Sequence, residues 1–237
     1  MKELSKLRRH LLSFVTLGLL SFLLVSNAVA GPQTASSTTG TNMIARARVY
    51  LDESTALKWS DATLLRFLND GMVDIANKTL CYQGTESVSL TANTIEYTPT
   101  TDYIKVIAVK VNPASGSSWG LIKGNVTSVG LATEAATPVY WYEFAGKVGI
   151  YPAYSAVTTE TATVYFAKRP ADIAAGSNVL TPAIYDKALV YYICAQAFML
   201  DKRIAEANNY LMLYAQELDR YRQDITGADN EKADPIR

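Results

Sequence analysis

Gly116, Ser118 and Gly120 spell G-x-S-x-G, the spacing that presents a nucleophilic serine on a sharp turn between a strand and a helix. Such a serine needs a histidine to take its proton, and the chain's single histidine is His10, inside an apolar N-terminal segment. The residues around Ser118 also lack a strand before and a helix after, so the triplet reads as a Ser/Gly loop. One histidine excludes the usual zinc sites, and no glycine-rich phosphate loop with its lysine occurs. Asp70 and Asp74 stand one helical turn apart, where a carboxylate pair for acid–base work or a metal is conceivable, but on a polar helix face this spacing reads as solvated charge. Cys81 and Cys194 have no metal-ligand spacing, and Cys194 falls inside a helical stretch as a small buried thiol. No residue set nominates catalysis, and no cofactor or metal is expected.

The elements that would position these residues are read from periodicity. The cleanest pattern runs from Pro182 to Ile225 and predicts a helical hairpin. Ile204, Ala207, Leu211, Tyr214, Leu218, Tyr221 and Ile225 follow at steps of three and four, which places them on one stripe. Tyr185, Ala188, Leu189, Tyr192, Ala195 and Met199 share a face of the preceding helix, behind Pro182 at its first position and Thr181 as its cap. The break falls at 200–202, with Asp201 capping the second helix and Gly227 ending it. Upstream, a short helix spans Met43–Leu51, with Ile44, Ala47 and Leu51 on one side and Arg46 and Arg48 directed elsewhere. Ser60 caps a further helix, Asp61 to about Lys78, whose stripe is Leu64, Leu68, Met72 and Ile75.

Between these helices the period changes to two. Val88 and Leu90, then Ile95 and Tyr97, predict a hairpin turning at Ala92 and Asn93, and Ile104–Val111 reads as a strand apolar on both faces. Val139–Phe144 and Lys147–Tyr151 form a second hairpin around Ala145 and Gly146, followed by a strand over Glu160–Lys168. In that hairpin Trp141, Val148 and Ile150 share one face, while Tyr140, Tyr142, Phe144 and Tyr151 occupy the other. Four aromatic residues on one face are a candidate partner interface, or else they pack inside the β portion. The fold class is α+β: a helical bundle with a C-terminal helical hairpin and an inserted, mainly antiparallel β portion.

Residues 1–30 have the layout of a secretory signal: Lys2, Lys6, Arg8 and Arg9, an apolar run from Leu11 to Val25, then Ala28, Val29 and Ala30. A cleaved signal, a retained anchor, or an extension upstream of a start at Met43 are the readings. Residues 31–42 read as a flexible linker, 43–226 as the α+β domain, and 227–237 as a polar tail. Of 22 basic and 22 acidic residues, the part after residue 30 keeps 18 and 21, which is no electrostatic footprint for gripping nucleic acid.

From Met43 onward the chain resembles the adaptor, or head-to-tail connector, proteins of short-tailed bacteriophages. The carriers are Ile44-Ala45-Arg46-Ala47-Arg48-Val49-Tyr50-Leu51-Asp52, Trp59-Ser60-Asp61, Leu64-Leu65-Arg66-Phe67-Leu68-Asn69-Asp70-Gly71 and Ile150-Tyr151-Pro152. Tyr165 to Pro170, and Pro182, Tyr185, Ala188-Leu189, Tyr192, Asp201, Ala205 and Tyr210, complete them. The resemblance implies a non-enzymatic virion protein at the head–tail junction. It implies a homo-oligomeric ring, expected to be a dodecamer, that contacts the portal protein and tail or nozzle proteins. Such a ring lets DNA pass without sequence-specific binding, and its C-terminal extension can dock on the portal. The N-terminal segment departs from this pattern, so an exported, non-enzymatic protein of the bacterial envelope stands as the rival reading.

Overall fold

Helix initiation follows local chemistry. The structure, a computed structural model, describes residues 35–125, 136–155 and 160–230. Helix α1 (Gly40–Tyr50) begins behind Thr39, whose side chain accepts the Asn42 N–H at 3.3 Å. Helix α2 (Asp61–Thr79) begins behind Ser60, whose Oγ accepts the Thr63 N–H at 3.1 Å, and it ends at Leu80 in the left-handed region, φ 54°. After the β portion come a short helical turn, Ala183–Tyr185, then α3 (Asp186–Leu200) and α4 (Ile204–Asn230).

Helix α3 is the axis of the bundle. Ala188, Leu189, Val190, Ile193, Cys194, Ala195 and Ala197 are all buried, so it is apolar around its circumference rather than along one stripe. It packs on α1 and α2 as well as beside α4. A Cβ at Gly71 of α2 would lie 2.9 Å from a ring carbon of Tyr192, so the close approach of α2 and α3 depends on that glycine. Between α3 and α4 the gap is filled by rings: Tyr192 meets Tyr214 at 5.3 Å, Tyr185 meets Tyr221 at 5.7 Å, and Phe198 stacks on Tyr210 at 5.4 Å. The pairs run antiparallel along the two helices, as the predicted hairpin requires.

Several local expectations are corrected. Pro182 precedes the turn at Ala183–Tyr185 instead of opening the helix, and Thr181 is a buried residue whose carbonyl accepts the Ser36 N–H at 3.3 Å, not a cap. Asp201 ends α3 and pairs with Lys58, so it does not cap α4. On the α4 stripe Ala207, Tyr214 and Leu218 are buried, but Ile204 is 56% exposed because it stands at the turn of the hairpin, where α4 begins. Gly227 does not stop α4, which continues to Asn230; an isolated glycine costs a helix only about 1 kcal/mol, too little to end one by itself. From residue 35 the supposed linker belongs to the fold: Ala35 and Thr39 bridge to Pro182 and Asn178, and Thr38 Oγ1 donates to Asp186 at 2.7 Å. Residues 1–34 and 231–237, which hold the signal-like segment and most of the predicted tail, lie outside the described residues.

The strands are β1 (Gln83–Ser89), β2 (Glu96–Tyr97), β3 (Tyr103–Asn112), β4 (Trp119–Gly120), β5 (Ile122–Lys123), β6 (Tyr140–Phe144), β7 (Lys147–Tyr151) and β8 (Thr161–Lys168). They make two sheets, ordered β1-β8-β3-β4 and β2-β7-β6-β5, antiparallel throughout except for β5 beside β6. Val106, Val109, Val111, Val164 and Phe166 from the first sheet share a core with Tyr97, Trp141, Val148 and Ile150 from the second. The expected β6–β7 hairpin is present, with Ala145 and Gly146 both at positive φ. The other expected hairpin is not. β1 pairs with β8 and β2 with β7, so the turn at Ala92 and Asn93 carries the chain from one sheet to the other. Tyr97 holds that crossing, its hydroxyl accepting the Thr91 N–H at 3.2 Å and donating to the Thr94 carbonyl at 3.0 Å. β3 is not buried on both faces either. A bulge between Val106 and Ala108 shifts the alternation by one, so Val106, Val109 and Val111 all point inward and Ile107 stays 42% exposed.

Candidate functional site

The outer face of the second sheet carries the aromatic residues that the sequence singles out. Tyr140 is 41% and Phe144 55% exposed, Tyr151 is half-buried, and Ile122 on β5 adds a side chain that is 60% exposed. The register explains the grouping. Ile122 pairs with Tyr140, which pairs with Tyr151, so the three form one row across three strands. Trp141, Val148 and Ile150 point the other way into the sandwich core, as alternation demands.

Tyr142 departs from its neighbours. It lies in the same face but is only 2% exposed. Its register partner is Gly149, and a Cβ there would sit 2.1 Å from the tyrosine ring, so the ring lies directly over the glycine backbone and covers it. Burial, together with the nearby charge of Glu96, holds its hydroxyl above the ordinary tyrosine range. Glu96 is itself paired with Lys147 at 2.9 Å. The surface is therefore Ile122, Tyr140, Phe144 and part of Tyr151, resting on a buried Tyr142. Ile122 was missed in the sequence because a two-residue edge strand has no period to read.

The residues with letter-level catalytic potential are dispersed. Ser118 is exposed on a loop after Gly116, φ 101°, and the short strand β4 follows it where a nucleophile elbow needs a helix. Its only conceivable base, His10, lies outside the described residues. Asp70 is exposed, whereas Asp74 receives Lys78 at 2.6 Å and the hydroxyl of Tyr214, which ties α2 to α4. Burial and that bond to Asp74 push the Tyr214 hydroxyl well above its ordinary range. Burial likewise pushes the Cys194 thiol up to about 12, in keeping with a packing residue, and Cys81 is also raised by burial.

A second exposed apolar cluster lies at the turn of the helical hairpin. Leu57 is 88%, Leu200 59%, Ile204 56% and Met199 40% exposed. The loop carrying Leu57 is built around Arg48, which sequence reasoning directs away from the core and which the structure buries. Its guanidinium reaches Glu53 at 3.2 Å, Asp61 at 2.6 Å and the Trp59 carbonyl at 2.8 Å. Glu53 in turn accepts the N–H groups of Leu57 at 2.6 Å, of Lys58, and of Trp59 at 3.4 Å. Burial works against the charge on Glu53, but those backbone donors and Arg48 outweigh it and hold the carboxyl below its ordinary value. Lys58 pairs with Asp201, and Trp59 meets Phe198 edge-on at 6.2 Å, so loop and hairpin turn form one surface.

Among the described residues no helix is long and apolar enough to cross a membrane, and no group of three or more His, Cys, Asp or Glu is placed to hold a metal. No curated protein matches the chain. A family model described as SU10 adaptor protein does match, over residues 38–235, which takes in the four helices and both sheets of the described residues. An α-helical bundle joined to an antiparallel sandwich, with exposed apolar faces on each and a match over most of its length, thus places this chain in the SU10 adaptor protein family, a family of phage structural adaptors.

Proposed function

We propose that this chain is the ring-forming adaptor between the capsid portal and the tail of a bacteriophage, and that its ring lines the path along which DNA leaves the head. The observation that carries the proposal is the family match over residues 38–235, joined to an exposed face of Ile122, Tyr140 and Phe144 that an isolated monomer has no reason to keep apolar. Interface centres are rich in such side chains, and aromatic anchors dominate their energetics. The near balance of 22 basic and 22 acidic residues suits a lumen that passes DNA without holding it. No catalytic step and no cofactor are assigned.

In this reading Tyr140, Phe144 and Tyr151 make the subunit or tail contact, Tyr142 supports them from below, and the segment beyond residue 226 reaches the portal. A dodecameric ring is expected. Mixing the purified chain with portal rings of the same phage and imaging the product by cryo-electron microscopy tests this. Stacked rings are the expected result, and portal rings left bare after mixing would overturn it. Phe144→Glu should block assembly at unchanged melting temperature, whereas Tyr142→Asp should unfold the monomer. Truncation after Asn230 should weaken portal attachment alone. The layout of residues 1–30 supports a second reading as an exported envelope protein. N-terminal sequencing of the native protein separates the two: a start at Gly31 favours export, whereas a start at Met43 favours the virion and requires a fold without the Thr39 cap and the Ala35 and Thr39 bridges.

A further inference from the structure

We infer that the outer face of the first sheet is the surface DNA slides along, touched by the sugar–phosphate backbone without any reading of bases. The inference rests on the reading above in one respect, that DNA passes the assembled chain. The face itself is picked out by its own chemistry and not by how copies meet.

Register builds the face. Val106 and Val109 of β3, Val164 and Phe166 of β8, and Glu86 and Val88 of β1 turn toward the other sheet, so the residues between them turn outward. Ser87, Thr163 and Lys110 form one row across the three strands, with Ser89, Thr161 and Asn112 beside it. Lys105 stands exposed two rows to the other side. Asn112 Nδ2 donates to Thr163 Oγ1 at 2.8 Å, which leaves the threonine proton free to donate outward. Glu86 is the one carboxylate in these three strands, and it points inward. Lysine, serine, threonine and asparagine are the side chains that bring donors to phosphate and sugar oxygens.

An ordinary solvated face mixes both signs of charge. Elsewhere the chain pairs them: among the described residues Arg46, Lys58, Lys78, Lys147, Lys187 and Arg203 each meet a carboxylate, whereas Lys105 and Lys110 meet none. Edge protection does not account for Lys110, because β3 is paired there on both sides, with Thr163 and with Gly120. A protein partner fits poorly as well, since lysine and serine are depleted at protein interfaces. Between the two lysines, beside the bulge at Ile107, a groove of about 400 Å³ is lined by Thr85, Ala108 and Tyr165. It offers deoxyribose an apolar floor between two phosphate contacts. Two such contacts per copy give a shallow attraction, with log K falling against log salt at a slope of about −2. A duplex can move along such a face, in keeping with the balance of 22 basic and 22 acidic residues.

Anisotropy of a short fluorescent duplex, titrated with the full chain at low salt, tests this. Lys105→Glu with Lys110→Glu should weaken binding at least about tenfold and bring the salt slope close to zero. Arg66→Glu with Lys202→Glu shifts net charge equally, at exposed positions of the helical bundle that also lack an ion pair, and should weaken binding less than about threefold. Ser87→Ala with Ser89→Ala should cost about twofold to fivefold at unchanged slope. If the charge reversal on the sheet lowers the melting temperature, Lys105→Gln with Lys110→Gln gives the same reading with less perturbation. Equal losses from the two charge reversals would show attraction to net charge alone and overturn the inference. Failure of the parent chain to bind at about 1 mM in low salt would overturn it too. Portal rings decorated by the parent, while the duplex ignores this face, would remove the inference and leave the adaptor reading standing. Bare portal rings would remove that reading and, with it, the passage of DNA.

Discussion

The helical bundle and the β-sandwich are each closed by one carboxylate that accepts backbone N–H groups, and the two differ in what burial demands. In the bundle, Glu53 gathers Leu57, Lys58 and Trp59 and is 8% exposed, with Arg48 3.2 Å away. In the sandwich, Glu86 of β1 points inward at the open margin and accepts the Thr100 N–H at 2.8 Å, its hydroxyl at 2.9 Å and the Thr101 N–H at 3.0 Å. Glu86 is half-buried and keeps contact with water. Backbone donors and residual hydration suffice for Glu86, whereas Glu53, taken almost wholly out of water, has the Arg48 guanidinium beside it as well. The same loop-closing device is therefore a surface latch in one region and part of a buried network in the other.

The largest effect that sharpens this contrast is expected from Arg48→Ala, which leaves Glu53 buried without its cation and should cost about 3–5 kcal/mol in urea denaturation. Amide exchange should show the loss first in α1 and α3, with β8 following only on global unfolding. A cost below 1 kcal/mol would mean that the backbone donors alone hold Glu53, and the two carboxylates would be equivalent. In the sandwich, Gly149→Ala drives a methyl into the Tyr142 ring and should cost about 1–3 kcal/mol by the same measurement. If it were neutral, Tyr142 would have another place to go and the aromatic face would be less fixed than its burial indicates.

Glu86→Ala should cost about 1 kcal/mol, well short of Arg48→Ala, since its Thr100 and Thr101 partners can turn to water. Acid should act on both regions in the same direction. Both carboxyls lie below their ordinary value of 4.5 when folded, so the stability they contribute is present above that pH and is lost as pH falls through their folded values. Melting temperature should therefore drop as pH is lowered from about 5 to about 3, and Glu53→Gln should flatten that slope more than Glu86→Gln. An equal flattening by both would contradict the ranking. Ser118→Ala, on an exposed loop, should change stability by less than about 0.5 kcal/mol and leave assembly untouched.

Much of the architecture was legible because it is set within a few residues of chain. The Ser60 cap, the stripe Leu64, Leu68, Met72 and Ile75, the break after Leu200 and the Ala145-Gly146 turn each depend on neighbours within a turn or a hairpin. The aromatic residues of the candidate face were visible for the same reason, since strand alternation assigns them a side. Tertiary structure decided what local pattern leaves open. β1 and β2 are separated by a turn that would suit a hairpin, but each pairs with a distant strand because each side belongs to a different sheet. Arg48, polar by letter, is buried because Glu53 and the Trp59 carbonyl from a loop that has no period, and Asp61 at the start of α2, converge on it. Tyr142 is an exception of the opposite kind: the Ala145-Gly146 turn already pairs it with Gly149, and that local pairing, not the strand period, takes its ring off the surface. Local periodicity decides which side of an element a residue takes; whether that side meets water depends on which distant backbone arrives there.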